Sequence, residues 1–226
     1  MAQAVKVQFG KYEVKGPALW GVRLVLAAAI AAVIYFFPPR SYRPMWLSAL
    51  GWVAFSVYWG AAARNSAGTK TSESAESRRA HVMMTNIGQV LLFLAVPGLR
   101  TVFLPPSPVW VPLGLGVQAA SIALAVWARR HLGRNWSGRI EIKVDHELVR
   151  SGPYRKLRHP IYTAVIGMCA GTALVSGRTH ALLGVLLVLA AYWRKVHMEE
   201  DNLRTAFGDR YDDYRRDTWG AVPGFF

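Results

Sequence analysis

Acidic residues are scarce in this chain: 13 Asp and Glu stand against 27 Lys and Arg, a formal net charge of +14 over 226 residues. Cysteine occurs once, at Cys169 inside an apolar run, which excludes an intramolecular disulfide and says little about redox compartment. Charged residues of both signs make up 18% of the chain while 53% is hydrophobic, so there is little polar material to clothe a soluble core. No glycine-rich turn joins a strand to a helix, which excludes a Rossmann dinucleotide site. His and acidic residues lack the multi-ligand spacing of a metal centre, so no metal is expected. The first eighteen residues are polar and no small-residue cleavage site follows the first apolar run cleanly, so a cleaved signal peptide is not expected.

What is present is a series of apolar blocks: Leu19–Phe37, Met45–Ala63, Asn86–Leu104, Val109–Ala128, Ile161–Ser176 and Ala181–Trp193. The longer ones suffice, at a rise of about 1.5 Å per residue, to cross a hydrocarbon core of about 30 Å. The last two are short and joined only by Gly177, Arg178, Thr179 and His180, which reads as a tight helical hairpin. Pro97-Gly98 within block three should kink it. Trp110, Trp127 and Trp193 sit at block ends and read as interfacial anchors.

The basic residues lie between the blocks rather than on a folded basic domain, so nucleic acid is not an expected partner and the bilayer is. Clusters at the N-terminus, at Arg64–Arg79, at Arg129–Arg158 and after Trp193 alternate with connections that carry few charges or none. This alternation places both termini and the two long polar loops in the cytoplasm and supports an even number of spans. The expected fold is therefore an all-α, polytopic membrane protein of about six transmembrane helices, its C-terminal hairpin flanked by cytoplasmic segments. Residues 1–128 form a four-helix transmembrane region with a cytoplasmic loop at 64–85, and residues 129–226 form a second region. Ser66–Glu76 reads as a mobile connector, whereas the alternating Ile140, Ile142 and Val144 suggest a short extended piece. The expected location is a bacterial inner membrane; the oligomeric state is open.

Polar chemistry concentrates at the cytoplasmic ends of the last three blocks. The hairpin brings Arg158 and His159 near Glu199 and Glu200 across about forty residues of sequence. Gly152-Pro153 makes a turn, and Pro160, cheap at a first helical turn, biases His159 toward an extended backbone. SGPYRKLRHPIY, 151–162, is thus a stiff segment displaying charge at fixed angles, although Lys156 alone needs no role beyond setting topology.

Three stretches carry a resemblance: LGRNWSG at 132–138, DHELVRSGPYRKLRHPIYTAVIG at 145–167 and EEDNLRTAFGDRYDDYRRDTWGAVP at 199–223. As an ordered set they resemble the isoprenylcysteine carboxyl methyltransferase family and the related phospholipid N-methyltransferases, integral membrane enzymes that use S-adenosylmethionine. The resemblance implies a methyl transfer to a lipid-like or small apolar acceptor, with the acceptor atom open among oxygen, nitrogen and sulfur. It implies that His146, Leu148 and Val149 line the approach to the cofactor. Gly152, Pro153 and Tyr154 would shape its wall, and His159, Pro160 and Tyr162 would contact it. Glu199 or Glu200 would hold the amino group of its methionine part, with Glu200 the choice. His146, Arg158 and Arg215 are the catalytic candidates: an Arg would orient a carboxylate acceptor, and a histidine (His146 or His159) would deprotonate an amine or thiol.

Two departures stand out. Ala164 replaces a glycine common in the family. Asp217 falls where isoprenylcysteine enzymes usually carry an Arg that handles the substrate carboxylate, with Arg215 and Arg216 just upstream. The alternatives are a nicotinamide-dependent membrane reductase, since sterol reductases share an RHPxY-like element, and a non-enzymatic membrane or transport protein. Neither midplane ionisable residues nor paired repeats favour transport.

Overall fold

The computed structural model describes residues 44–62, 69–72, 74–94, 98–99, 101–136, 141–143 and 148–224. The first apolar block, Leu19–Phe37, and His146 lie outside them. Among the described residues six helices follow in chain order: α1 (Met45–Ala62), α2 (Ala75–Phe93), α3 (Trp110–Leu132), α4 (Pro160–Ser176), α5 (Thr179–Phe207) and α6 (Asp209–Arg216). Short 3-10 turns occupy Gly133–Asn135 and Gly152–Arg155. The fold is all-α apart from one small antiparallel pair, β1 (Thr69–Ser72) with β2 (Glu141–Lys143). β2 is the extended piece expected from the alternation at 140–144. β1 corrects the reading of Ser66–Glu76 as a mobile connector, because the backbone of 69–72 is spent on a ladder.

Among the described residues two helices are long and apolar enough to cross a bilayer, α3 and α5, rather than about six. α1 has the length, but three tryptophans, two serines and a tyrosine dilute its apolarity. α4 is apolar but has 17 residues. α2 starts well before the expected block at Asn86: Ser74 caps it by accepting from the Ser77 amide at 3.2 Å, and Glu76 lies in its first turn. It ends at Phe93, and Pro97, where a kink was expected, lies outside the described residues.

Two pairs of glycines set the packing. A Cβ on Gly114 of α3 would meet the Gly171 carbonyl oxygen of α4 at 2.5 Å, and one on Gly171 would meet the Gly114 oxygen at 2.6 Å. Between α2 and α5, Gly88 and Gly184 exclude each other's Cβ in the same way, at 2.9 and 2.6 Å from the facing carbonyl oxygens. Small residues at helix crossings let backbones approach where lipid supplies no hydrophobic drive for association. A polar knot adds α1: Thr172 Oγ1 lies 2.9 Å from Ser48 Oγ and accepts from Trp52 Nε1 at 3.0 Å, while Gln118 Nε2 donates to the Ser48 oxygen at 3.0 Å.

At the other end of α3, Arg129 donates to the Gly133 and Ala62 carbonyl oxygens at 2.6 Å each and lies over the Trp136 ring at 4.7 Å. Trp136 is buried edge-on against Trp59. It therefore braces the end of α1 instead of facing a ligand. The α4–α5 hairpin turns on Gly177, left-handed at φ 62°, and Arg178. The turn is fixed to the preceding connection by a bridge between Val102 and Arg178. This hairpin returns the chain to the side from which α4 began.

Candidate active site

The site is built where α4 begins and α5 outruns its apolar stretch. Gly152, at φ 56°, opens the 3-10 turn; a Cβ there would meet the His131 ring at 2.4 Å, so both the conformation and the space require glycine. Pro153 and Tyr154 are buried by that turn, while Arg155 and Lys156 are turned out to solvent. His159 is the N-cap residue of α4 and Pro160 its first helical residue, as the sequence implied. Leu148 and Val149 are half-buried, Val149 against the hydrophobic core.

α5 continues without a break past Trp193, and its polar extension carries Lys195, Glu199 and Glu200 to the start of α4. Arg158 Nε donates to Glu200 Oε1 at 2.8 Å, and His159 Nε2 lies 3.2 Å from the same oxygen. Arg215 of α6 approaches the other oxygen, Nε to Oε2 at 3.4 Å. Glu200 is thus held on both oxygens, and its side chain is only 10% exposed. Burial opposes its ionisation most strongly, but hydrogen bonds from His159 and Arg158 and their charges outweigh it, holding the carboxyl at about 2, below the usual carboxylate range.

Glu199 is placed differently. Tyr162 Oη donates to its Oε2 at 2.5 Å and His159 Nδ1 lies 3.6 Å from that oxygen, yet the side chain remains 29% exposed. Aromatic faces crowd beside it. His159 stacks on Tyr162 with ring planes 3° apart, Tyr192 lies 4.9 Å from Tyr162, and Lys195 Nζ lies 5.3 Å from the Tyr162 ring centre. Tyr154 is buried nearby; burial first, and then the Glu199 charge, push its phenol well up.

The chain beyond α6 closes the site as a strap. Arg158 donates through its amide to the Trp219 oxygen at 2.8 Å and through Nη1 to the carbonyl oxygens of Arg215 and Thr218. Trp219 donates back to the Lys156 oxygen at 2.9 Å, and Thr163 Oγ1 to the Ala221 oxygen at 2.6 Å. Tyr214 Oη donates to the Tyr154 oxygen at 2.7 Å, and burial pushes that phenol up to about 12. Tyr211 is fully buried, with no hydrogen-bond partner for its hydroxyl among the described residues.

The structure brings together Arg158, His159, Tyr162, Glu199, Glu200 and Arg215, drawn from positions spread over the last third of the chain. Asp217 is exposed. Sequence reasoning missed Tyr192 and Lys195, which stand seven and four residues before Glu199 along α5, about two turns and one, so that one helix face carries them all. It also missed Thr163 and the strap, which act through backbone carbonyls and leave no mark in residue type.

Residues 114–205 match the model of the Isoprenylcysteine carboxyl methyltransferase (ICMT) family. A Protein-S-isoprenylcysteine O-methyltransferase of Dictyostelium discoideum is 29% identical over 85 residues, 37% of this chain and 36% of that protein. One from Schizosaccharomyces pombe is 34% identical over 80 residues, 35% of this chain and 34% of that protein. The matched segment thus spans about a third of the length of these curated relatives. A solved structure of the eukaryotic intramembrane Ras methyltransferase ICMT superposes with a TM-score of 0.52 at 18% identity, over 92% of this chain and 76% of that one. That likeness establishes a related fold. These two relatives are eukaryotic, and a Bacillus subtilis protein, Uncharacterized protein YpbQ, is 36% identical over 64 residues, 27% of this chain and 36% of that protein.

Proposed function

We propose that this chain is a member of the isoprenylcysteine carboxyl methyltransferase family and that it transfers a methyl group from S-adenosylmethionine to a lipid-like or small apolar acceptor at the membrane border. The observation that carries the reading is the pair of adjacent carboxylates beneath an aromatic stack, one locked and one accessible. Glu200 has both oxygens engaged. Glu199 keeps a third of its side chain open beside His159, Tyr162 and Tyr192. A carboxylate and aromatic faces suit a ligand that carries an ammonium and a sulfonium. The buried, unpartnered hydroxyl of Tyr211 is a further polar group in the neighbourhood of the two glutamates.

S-adenosylmethionine, when bound, supplies a methyl carbon that the acceptor's heteroatom takes while the carbon–sulfur bond breaks and its electron pair stays on sulfur. This chain's own residues bind and orient. Glu199 receives the amino group, and Tyr162, donating to the same carboxylate, fixes its rotamer. His159 and Tyr162 give flat walls, and Gly152, Pro153, Tyr154 and Pro160 shape the turn around them, with Leu148 and Val149 at the approach. Arg158 and Arg215 act through Glu200, holding the strap and α5 together. His146 remains a proposed contact and base. Positioning of this kind supplies much of the rate of an in-line transfer.

The acceptor enters from the bilayer side, because the cluster lies where α4 and α5 pass from hydrocarbon to cytoplasm. We propose a multi-pass topology with both termini cytoplasmic, in which α3 and the α4–α5 hairpin are among the spans. The test is binding and turnover with purified protein in bilayers. Saturable S-adenosylmethionine binding, weakened about 10- to 100-fold by Glu199→Gln, and labelled methyl transfer to an apolar acceptor are expected. Binding of NADPH in its place would point to the reductase reading.

A further inference from the structure

Trp219 is 53% exposed, although the strap that carries it is fastened on both sides. Its backbone is hydrogen-bonded to Lys156 and Arg158, two to four residues before α4 starts at Pro160. Two residues on, Ala221 is buried and tied to Thr163 in the first turn of α4. The indole is therefore held outward at a fixed level, the level at which α4 leaves the hydrocarbon.

Other exposed tryptophans lie toward the same end of the helices. Trp127 of α3 is 49% exposed and Trp193 of α5 is 46% exposed. At about 1.5 Å per residue they lie roughly 25 Å along α3 from Trp110 and roughly 21 Å along α5 from Thr179. Each is thus near the cytoplasmic end of its apolar stretch, where indole rings settle at headgroup depth. Arg155 and Lys156 are exposed beside Trp219. The remainder of the strap, Gly220 to Gly224, has no charged side chain. An indole beside the exposed cations Arg155 and Lys156, on a strap whose one charged residue is Asp217, matches an anionic lipid surface in its apolar part and in the net positive charge around it.

We propose that the strap, residues 217–224, docks onto the headgroup layer of an anionic phospholipid bilayer through Trp219, with Arg155 and Lys156 contacting lipid phosphates. Because the strap's carbonyls hold Arg158, bilayer contact presses it onto the Arg158–Glu200 pair. The docking needs only the membrane placement of the helices, so it stands or fails independently of methyl transfer.

The test uses the full chain in phosphatidylglycerol bilayers, with Trp219→Cys carrying an environment-sensitive fluorophore. Cys169 is fully buried, which confines labelling to position 219. Quenching several-fold stronger by headgroup-spin-labelled lipid than by soluble iodide is expected, with the contrast diminished by Arg155→Glu plus Lys156→Glu. Iodide quenching equal to that of a label at Asp213→Cys on α6 overturns the docking. Unchanged contrast in phosphatidylcholine overturns the anionic choice. Radical footprinting of the unsubstituted chain covers a variant that fails to fold: Trp219 should be protected as strongly as Trp127 and Trp193, and several-fold faster modification than either overturns the proposal.

Discussion

Arg158 and Glu200, 42 residues apart in sequence, share a hydrogen bond of 2.8 Å with both side chains almost wholly removed from solvent. The pair joins three elements at once. Arg158 stands just before α4, Glu200 belongs to α5, and the guanidinium also holds carbonyl oxygens of α6 and the strap. A buried ion pair is weak evidence of net stability, but removing one member leaves an uncompensated charge.

Arg158→Ala is therefore expected to destabilise the fold by about 3 to 5 kcal/mol, because Glu200 would stay buried without its main donor. Arg158→Lys should restore part of this, since an ammonium reaches Glu200 but cannot serve the two carbonyls in the same fork. Thermal unfolding of the three proteins in one lipid mixture checks it. An unchanged Tm for the alanine variant would refute the coupling.

Acid should act through the same group. The Glu200 carboxyl lies at about 2 in the folded chain against an ordinary 4.5, so ionised Glu200 contributes stability above the ordinary value. That contribution fades as the pH falls from about 4.5 through about 2. The groups facing it are Arg158, His159, Arg215, Glu199 and Tyr211. Glu200→Gln should flatten the acid limb of stability against pH over this interval. Parallel acid limbs in the two proteins would show that another group governs the loss.

The helix crossings give a sharper packing test. Gly114→Ala places a methyl group 2.5 Å from a carbonyl oxygen that belongs to the Gly171 backbone and cannot swing aside. Forced separation of α3 and α4 should cost about 1 to 3 kcal/mol. Gly116, two residues on, has nothing within 4 Å of a Cβ, so Gly116→Ala should be neutral or slightly stabilising. Equal Tm values for the two variants would contradict the close approach.

Much of this was legible before the coordinates. The α4–α5 hairpin followed from a short polar connection between two apolar blocks, and the meeting of Arg158 and His159 with Glu199 and Glu200 followed from that hairpin. The ends of helices did not, because apolarity reports the surrounding medium and not the backbone. α5 keeps its helix through the charged residues after Trp193, and α2 begins among Glu76, Arg78 and Arg79. β1 was hidden for a related reason: Thr-Lys-Thr-Ser has no apolar alternation, and its partner lies about seventy residues away. The sequence reading chose Glu200 to hold the cofactor's amino group, whereas the contacts around the two carboxylates favour Glu199, because neighbours on one helix differ only in which face each presents.

That difference yields the most discriminating experiment. Glu199 and Glu200 are adjacent in sequence, yet Glu200 is locked by two arginines and a histidine while Glu199 meets Tyr162 and remains partly open. Glu199→Gln removes an accessible charge and little else, so it should weaken S-adenosylmethionine binding about 10- to 100-fold, the worth of one charge-assisted hydrogen bond, with Tm nearly unchanged. Glu200→Gln should do the reverse in emphasis, lowering Tm first and binding only as the site loosens. Tyr162→Phe should fall between them, because Glu199 keeps its charge and loses the donor that sets its rotamer. Calorimetric titration of the three variants beside their unfolding curves separates the roles. If Glu200→Gln abolished binding at full stability while Glu199→Gln left it intact, the assignment of the two carboxylates would have to be exchanged.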